Sequence, residues 1–158
     1  MEIKVFNYPL EKELNEKVAE ILDENFGIKA GRDPKLLEEN KNIYYTNPAM
    51  CILCFDGDDV IGVQNIFLRE TVFEDQNILI GGLGGLCVDK EYRGKGIAKE
   101  LLQKASEELK KLNCDIGMMF TDINSPKHLK LYGQFGYVVL GREYSYLDKK
   151  GGEHTGRA

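Results

Sequence analysis

One stretch constrains this chain more than any other. NILIGGLGGLCV, residues 77–88, runs straight into DKEYRGKG and then into a helical apolar repeat. A continuous apolar run of this length reads as a buried strand. Ile97, Leu101, Leu102, Ala105, Leu109 and Leu112 then recur at spacings of three and four, which predicts an amphipathic helix. A second buried-type strand, CDIGMMFT (residues 114–121), follows. A strand, a helix and another strand in that order imply a parallel pair joined by a right-handed crossover. Between strand and helix stand Gly94 and Gly96, although glycine in a helix costs about 1 kcal/mol against alanine. The helix start therefore requires bare backbone for some other reason.

The rest of the chain supplies the partners of this unit. IKVFNY (3–8) reads as a strand. Leu14, Val18, Ile21, Leu22 and Phe26 mark an amphipathic helix over residues 10–26, with Gly27 as its stop. Asp33 and Pro34 predict the start of a short second helix, and NIYYTNPAM reads as a loop. Residues 49–55 and 60–68 read as two strands of a hairpin closed at DGDD, and RETVFEDQ (69–76) as a charged connection. After residue 121, Ser125 and Pro126 open a short helix ending near Gly133–Gly136. Residues 137–147 read as a last strand, and 149–158 as a polar, flexible tail. The expected fold class is α/β (α+β), a mixed central sheet of six to seven strands with helices on both faces. The expected order is β-α-α-β-β-β-α-β-α-β. Residues 1–148 are expected to form a single domain.

Composition removes several classes of function. With 158 residues, 42% of them hydrophobic and 30% charged, the chain can bury a core unaided. No apolar run approaches the roughly 20 residues of a membrane span, and the mixed charges of the N-terminus do not resemble a secretory signal. A cytoplasmic protein with no membrane partner is expected. A formal net charge of −5 argues against nucleic acid as a partner. Cys51 and Cys54 form a C-x-x-C, yet residues three apart on a strand face opposite ways. With His128 and His154 the only histidines, no metal site of the usual four ligands is expected.

What can a glycine knot at a helix start do? The unpartnered N–H groups and the aligned peptide dipoles create an anion site, above all for phosphate. Glycines let a phosphate approach, and Arg93 and Lys95 add donors and charge. A P-loop fails: Gly96 follows Lys95 where Ser or Thr is required, and Asp89 stands where the first glycine belongs. A dinucleotide fingerprint fails as well, because Lys99 occupies the third glycine position. A strand-to-helix turn with no ligand is the plain alternative. The pattern R-x-x-G-x-A of Arg93, Gly96 and Ala98, after a strand ending in LCV, resembles that of the GNAT superfamily of acetyl-CoA-dependent N-acetyltransferases. LYGQFGY (131–137) is similar to that family's LY-x-x-x-GF/Y segment. The resemblance covers residues 77–146 by motif and the earlier part by element order.

The resemblance implies a set of roles. The backbone from Arg93 through Gly94, Lys95, Gly96 and Ile97 to Ala98 would bind the CoA pyrophosphate. Leu86, Cys87 and Val88 would pair with the pantetheine arm, beside a bulge at Gly84 or Gly85 that splays this strand from the next. An amine would attack the thioester carbonyl directly, with the N–H of Leu86 or Val88 facing the developing oxyanion. Tyr132 would stand near the CoA sulfur as the general acid. The family's CoA-contacting asparagine falls on Ser125 here, with Asn124 beside it, and a small residue is replaced by His128. Cys87 as an acyl-accepting nucleophile lacks a histidine nearby in sequence to activate it. Tyr44, Tyr45, Glu70, Asp122 and Tyr144 are candidates for the acceptor site. Glu74, Asp75 and Glu143 join Glu70 and Asp122 as possible bases.

The implied function is acetyl transfer from acetyl-CoA, with no metal, to a primary amine of a small molecule or peptide. The resemblance also allows a homodimer, which is common in that family. A non-catalytic acyl-CoA sensor is the alternative, against which Tyr132 speaks, since a binder has no use for a proton donor. A nucleotide-binding module is opposed by the failed fingerprints.

Overall fold

A computed structural model describes residues 1–26, 48–121, 125–141, 143–147 and 153–157, the last two ranges by backbone alone. The chain divides into two compact units, Met1–Met119 and Phe120–Ala158. The expected second helix and its aromatic loop lie outside the described residues.

The first unit is a five-stranded sheet in the order β1 (Glu2–Asn7), β2 (Met50–Asp56), β3 (Asp59–Phe73), β4 (Gln76–Val88), β5 (Ile116–Met119). The first three pairings are antiparallel and β4–β5 is parallel, as the strand–helix–strand order requires. Helix α1 (Lys12–Phe26) packs Val18 and Ile21 into a core with Cys51, Leu53, Val63 and Cys87. Helix α2 (Ile97–Lys111) buries Ile97, Leu101, Leu102, Ala105 and Leu109. A Cβ on Gly62 would meet Leu101 and Ile97 of α2, whereas the next residue, Val63, joins the α1 core. Neighbouring strand residues point to opposite faces, so the two helices cover opposite faces of the sheet. Ile52, Leu53, Ile66, Leu101 and Leu102 are fully buried, at about 1.5–3 kcal/mol of burial free energy each.

The second unit holds α3 (Pro126–Gly133) and a two-stranded antiparallel sheet, β6 (Glu143–Leu147) with β7 (Glu153–Arg157). The mixed α/β class stands, and among the described residues the strands fall as five in one sheet and two in a second, a small difference from the expected six to seven in one sheet. Residues 137–141 carry no strand. Strand pairing begins at Glu143, where β7 supplies a partner from the stretch read as a tail.

The connection read at residues 69–76 is corrected. Arg69–Phe73 continue β3, and Gln76 already pairs with Phe73 as part of β4. Glu74 and Asp75 form the turn with φ of 47° and 62°. Two central residues at positive φ match the right-handed twist of a hairpin.

Candidate active site

The site is built where β4 ends and α2 begins. Along β3–β4, Val63 pairs with Cys87 and Asn65 with Gly84, so Gln64 alone faces Gly85 and Leu86. This is a β-bulge, with Gly85 at φ +67°. Of the two glycines expected to carry it, Gly85 has the left-handed backbone that favours glycine. Gln64 Nε2 donates to the Gly84 carbonyl at 3.0 Å and to the Asn65 carbonyl at 2.9 Å. It satisfies acceptors that a broken ladder would strand in the core. The buried Asn65 side chain lies against Gly85 with its Oδ1 unpartnered. Neither buried amide was singled out in the sequence, where nothing separates them from other strand polar residues.

Pairing of β4 with β5 ends at Leu83 and Met119. Within the described residues of this unit, Gly84–Val88 therefore run on without a partner on that side. Leu86, Cys87 and Val88 all lie on this stretch, where an extended amide-bearing chain could add as a strand does. The strand's other glycines serve packing. A Cβ on Gly81 would enter the space of Leu109, and one on Gly84 would meet the Phe67 ring at 3.0 Å.

Past Val88 the chain is pinned repeatedly before it reaches the glycines. Asp89 N–H donates to the Ile61 carbonyl at 2.9 Å, and Asp89 Oδ1 caps a 3₁₀ turn over Lys90–Tyr92 through Glu91 N–H at 2.8 Å. Tyr92 OH donates to Asp56 Oδ2 at 2.9 Å, and that carboxylate raises the phenol's pKa. The Lys95 ammonium sits 4.4 Å from the centre of the Tyr92 ring. Arg93 donates through Nε to the Val88 carbonyl at 3.1 Å and through Nη2 to Asn25 Oδ1 at 2.7 Å. The Arg93 side chain is thus an anchor, and its backbone is what lines the helix start.

Gly94 and Gly96 have φ of +80° and +87°, and a Cβ on either would meet nothing within 4 Å. Backbone handedness, not crowding by the protein, selects glycine, and the space above both is open. Gly96 is the N-cap of α2, with no side-chain cap hydrogen bond. The first N–H groups of α2 are therefore left for an external acceptor, at the end carrying about half a positive charge. A helix start of this kind is chemically suited to an anionic group such as a phosphate. A nearby groove of about 390 Å³ is lined by Glu20, Glu24, Asp59, Asp89 and Glu91 along with Lys17. Its mostly acidic lining is of the wrong sign for phosphate.

The buried thiols are inert. Burial pushes Cys87 up to about 12, the nearby Arg93 charge only partly opposing it. Burial likewise pushes Cys51 to about 12. A thiolate nucleophile is thus unavailable at neutral pH. Cys51 and Cys54 are neighbours in sequence but point to opposite faces of β2, and both are free.

In the second unit, Tyr132 lies on α3, half-buried, with its ring edge-on to Tyr137 at 6.3 Å. Burial raises its pKa, against a hydrogen bond with Thr121 that lowers it. Ser125 is the N-cap of α3 but makes no side-chain cap bond, so its hydroxyl is not committed to the helix. His128 Nδ1 lies 3.4 Å from Thr121 Oγ1. Glu70 is exposed on β3, paired with Leu79. It is five residues from Asn65, about 17 Å along a strand, so it does not join the bulge. Glu74 and Asp75 lie farther out, at the hairpin turn. Tyr44, Tyr45, Asp122 and Asn124 fall outside the described residues, as do the side chains of Glu143 and Tyr144.

Comparison with known proteins agrees with this geometry. A family model described as an acetyltransferase (GNAT) domain matches residues 8–140. N-alpha-acetyltransferase 30 of Saccharomyces cerevisiae is 34% identical over 113 residues, 72% of this chain and 56% of that protein. N-alpha-acetyltransferase MAK3 of Arabidopsis thaliana is 28% identical over 65% of this chain and 52% of its own length. The chain spans about half the length of these two curated relatives. The structure of AAC(6')-Iy in complex with a bisubstrate analog shares the fold. Its TM-score is 0.68 at 14% identity, over 94% of this chain and 99% of that one.

Proposed function

The chain belongs to the GNAT acetyltransferase family, and from that premise we propose that it moves the acetyl group of acetyl-CoA to a primary amine. The acceptor we favour is the α-amino group of a peptide, with a small-molecule amine as the wider class. The names of the relatives support that order. The observation that carries the reading is the uncapped start of α2 at left-handed Gly96, one short turn after a bulged strand whose last residues, among the described residues of this unit, lack a strand partner on the β5 side.

Acetyl-CoA supplies an acyl group on a good thiolate leaving group. The chain's own residues do the rest. Backbone N–H groups from Gly94 to Ala98 hold the pyrophosphate, the Arg93 N–H being turned to the Lys90 carbonyl, and the free edge of Leu86–Val88 aligns the arm. The same edge presents N–H donors to the carbonyl oxygen as it gains charge. The neutral amine nitrogen forms the new C–N bond as the C–S bond breaks. The amine loses one proton, and the departing sulfur gains one. Tyr132 is the assigned donor to that sulfur. With its pKa raised it gives up its proton reluctantly, so most of its effect comes from hydrogen bonding to the thiolate.

Calorimetric titration of acetyl-CoA, followed by thiol release with peptides, polyamines, amino acids and aminoglycosides, tests the reading. Micromolar binding with amine-dependent release is expected. Binding without release from any amine would favour a sensor, and no binding would reduce the glycine knot to a turn.

A further inference from the structure

Asn25 stands in the last turn of α1, far in sequence from the glycine turn, yet its amide is held in a fixed orientation. Nδ2 donates to the Ile21 carbonyl at 2.8 Å, which leaves Oδ1 as the acceptor for Arg93 Nη2 at 2.7 Å. The same guanidinium donates through Nε to the Val88 carbonyl. Arg93 thereby spans from the last residue of β4 to the end of α1, and it immediately precedes Gly94. Apart from the Lys95 ammonium over the Tyr92 ring, the other anchors, through Asp89, Glu91 and Tyr92, come earlier in the chain. Gly94 and Gly96 have no side chains to fix them, and glycine carries the largest conformational freedom of any residue. Buried Ile97 fixes the far end of this turn, and Arg93 is the hydrogen-bonded anchor at its near end, so the position of the N–H groups from Gly94 onward depends in part on what holds Arg93.

We propose that Asn25 is a positioning residue for the cofactor turn: it acts through Arg93 to fix the N–H cradle at the start of α2. The role rests on the acetyl-CoA reading of that turn, but the fixing of the turn itself can be read without any cofactor. The hydrogen bond is charge-assisted yet near solvent, so its loss should weaken acetyl-CoA binding about fivefold.

The test compares Asn25→Ala and Asn25→Asp in the full chain. Asn25→Ala is expected to raise the KM for acetyl-CoA about fivefold with kcat within about twofold of wild type. It should also speed amide hydrogen exchange at residues 94–98 in the cofactor-free protein. Asn25→Asp keeps an acceptor for Arg93 but cannot donate to Ile21. It should restore both readouts to within about twofold of wild type. A residue that merely capped α1 would leave Asp as damaging as Ala, and that result overturns the proposal. In an Arg93→Ala background, Asn25→Ala should add less than about twofold to KM; full additivity would also overturn it. If wild type binds no acetyl-CoA, the acetyl-CoA role falls. The exchange measurement then still decides whether Asn25 fixes the turn.

Discussion

At the residue scale, Gly96 and Tyr132 give the sharpest expectations. An alanine at Gly96 would meet open space but would have to hold φ at +87°. The cost is therefore conformational, about 1–2 kcal/mol. Gly96→Ala should lower the melting temperature and raise the acetyl-CoA KM while kcat stays near wild type. An equal fall in kcat would mean that the turn also acts in the chemical step. Tyr132 keeps its proton to a pH above the ordinary phenol value of about 10, because burial raises its pKa. The folded state thus binds that proton more tightly, and both its stability and its donor role persist until pH rises past that point. The rate should climb as the acceptor's α-amino group deprotonates, near pH 8, and should not fall before about pH 10. Tyr132→Phe should lower kcat roughly a hundredfold with the rising limb unmoved. An alkaline fall well below pH 10 that vanishes in the phenylalanine variant would show that the phenol is lowered, not raised, in the complex. Cys87 sits in the assigned strand but is buried with its thiol at about 12. Cys87→Ala should therefore leave kcat within about twofold, at a stability cost of about 1 kcal/mol. Trapping of an acyl-cysteine would overturn direct transfer.

At the element scale, the bulge of β4 is the feature that opens the sheet. A Cβ at Gly85 would lie 3.1 Å from Asn65 Nδ2 and 3.2 Å from Leu22 Cδ2, at φ +67°. Handedness and crowding therefore add. Gly85→Ala should destabilise by about 2–3 kcal/mol, seen as a lower urea midpoint at unchanged m. A midpoint within experimental error of wild type would show that the bulge is not needed for the fold. The glycine-rich strand itself was plain in the sequence, because so many glycines in an apolar run need a backbone reason. Which glycine turns left-handed was not, since that depends on register against β3. The hairpin of β3 and β4 hid for a related reason. Thr71, Val72 and Phe73 favour a strand, but Glu74–Asp75 lacks the Asn-Gly signature of its turn, and the charges around them read as a loop. The Arg93–Asn25 contact was invisible for want of any local signal, being a pairing 68 positions apart.

At the scale of the whole molecule, helical periodicity placed α1 and α2 to within two residues, and the parallel β4–β5 pair followed from a crossover rule of handedness. The number of strands sharing one sheet did not follow, because partner choice among short strands near the C-terminus is set by tertiary contacts and not by pattern. The assembled molecule also makes a prediction that no single residue does. Its net charge of −5 opposes a polyanionic ligand at long range, so binding must come from close contacts at the uncapped helix and along the free edge of β4. A ligand at a hundredfold excess over its Kd stabilises the folded state by about 2.7 kcal/mol. For a chain of this length that is a rise in melting temperature of roughly 5–10 °C. 3′-Phosphoadenosine 5′-diphosphate carries the whole nucleotide part of CoA, pyrophosphate included, without the pantetheine arm. At equal concentration it should give a clearly smaller shift than CoA, because only CoA can pair along Leu86–Val88. Gly96→Ala should diminish both shifts, whereas Tyr132→Phe should leave them in place. Equal shifts from the two ligands would mean that the unpaired edge contributes nothing to binding, and the pantetheine assignment would have to move elsewhere.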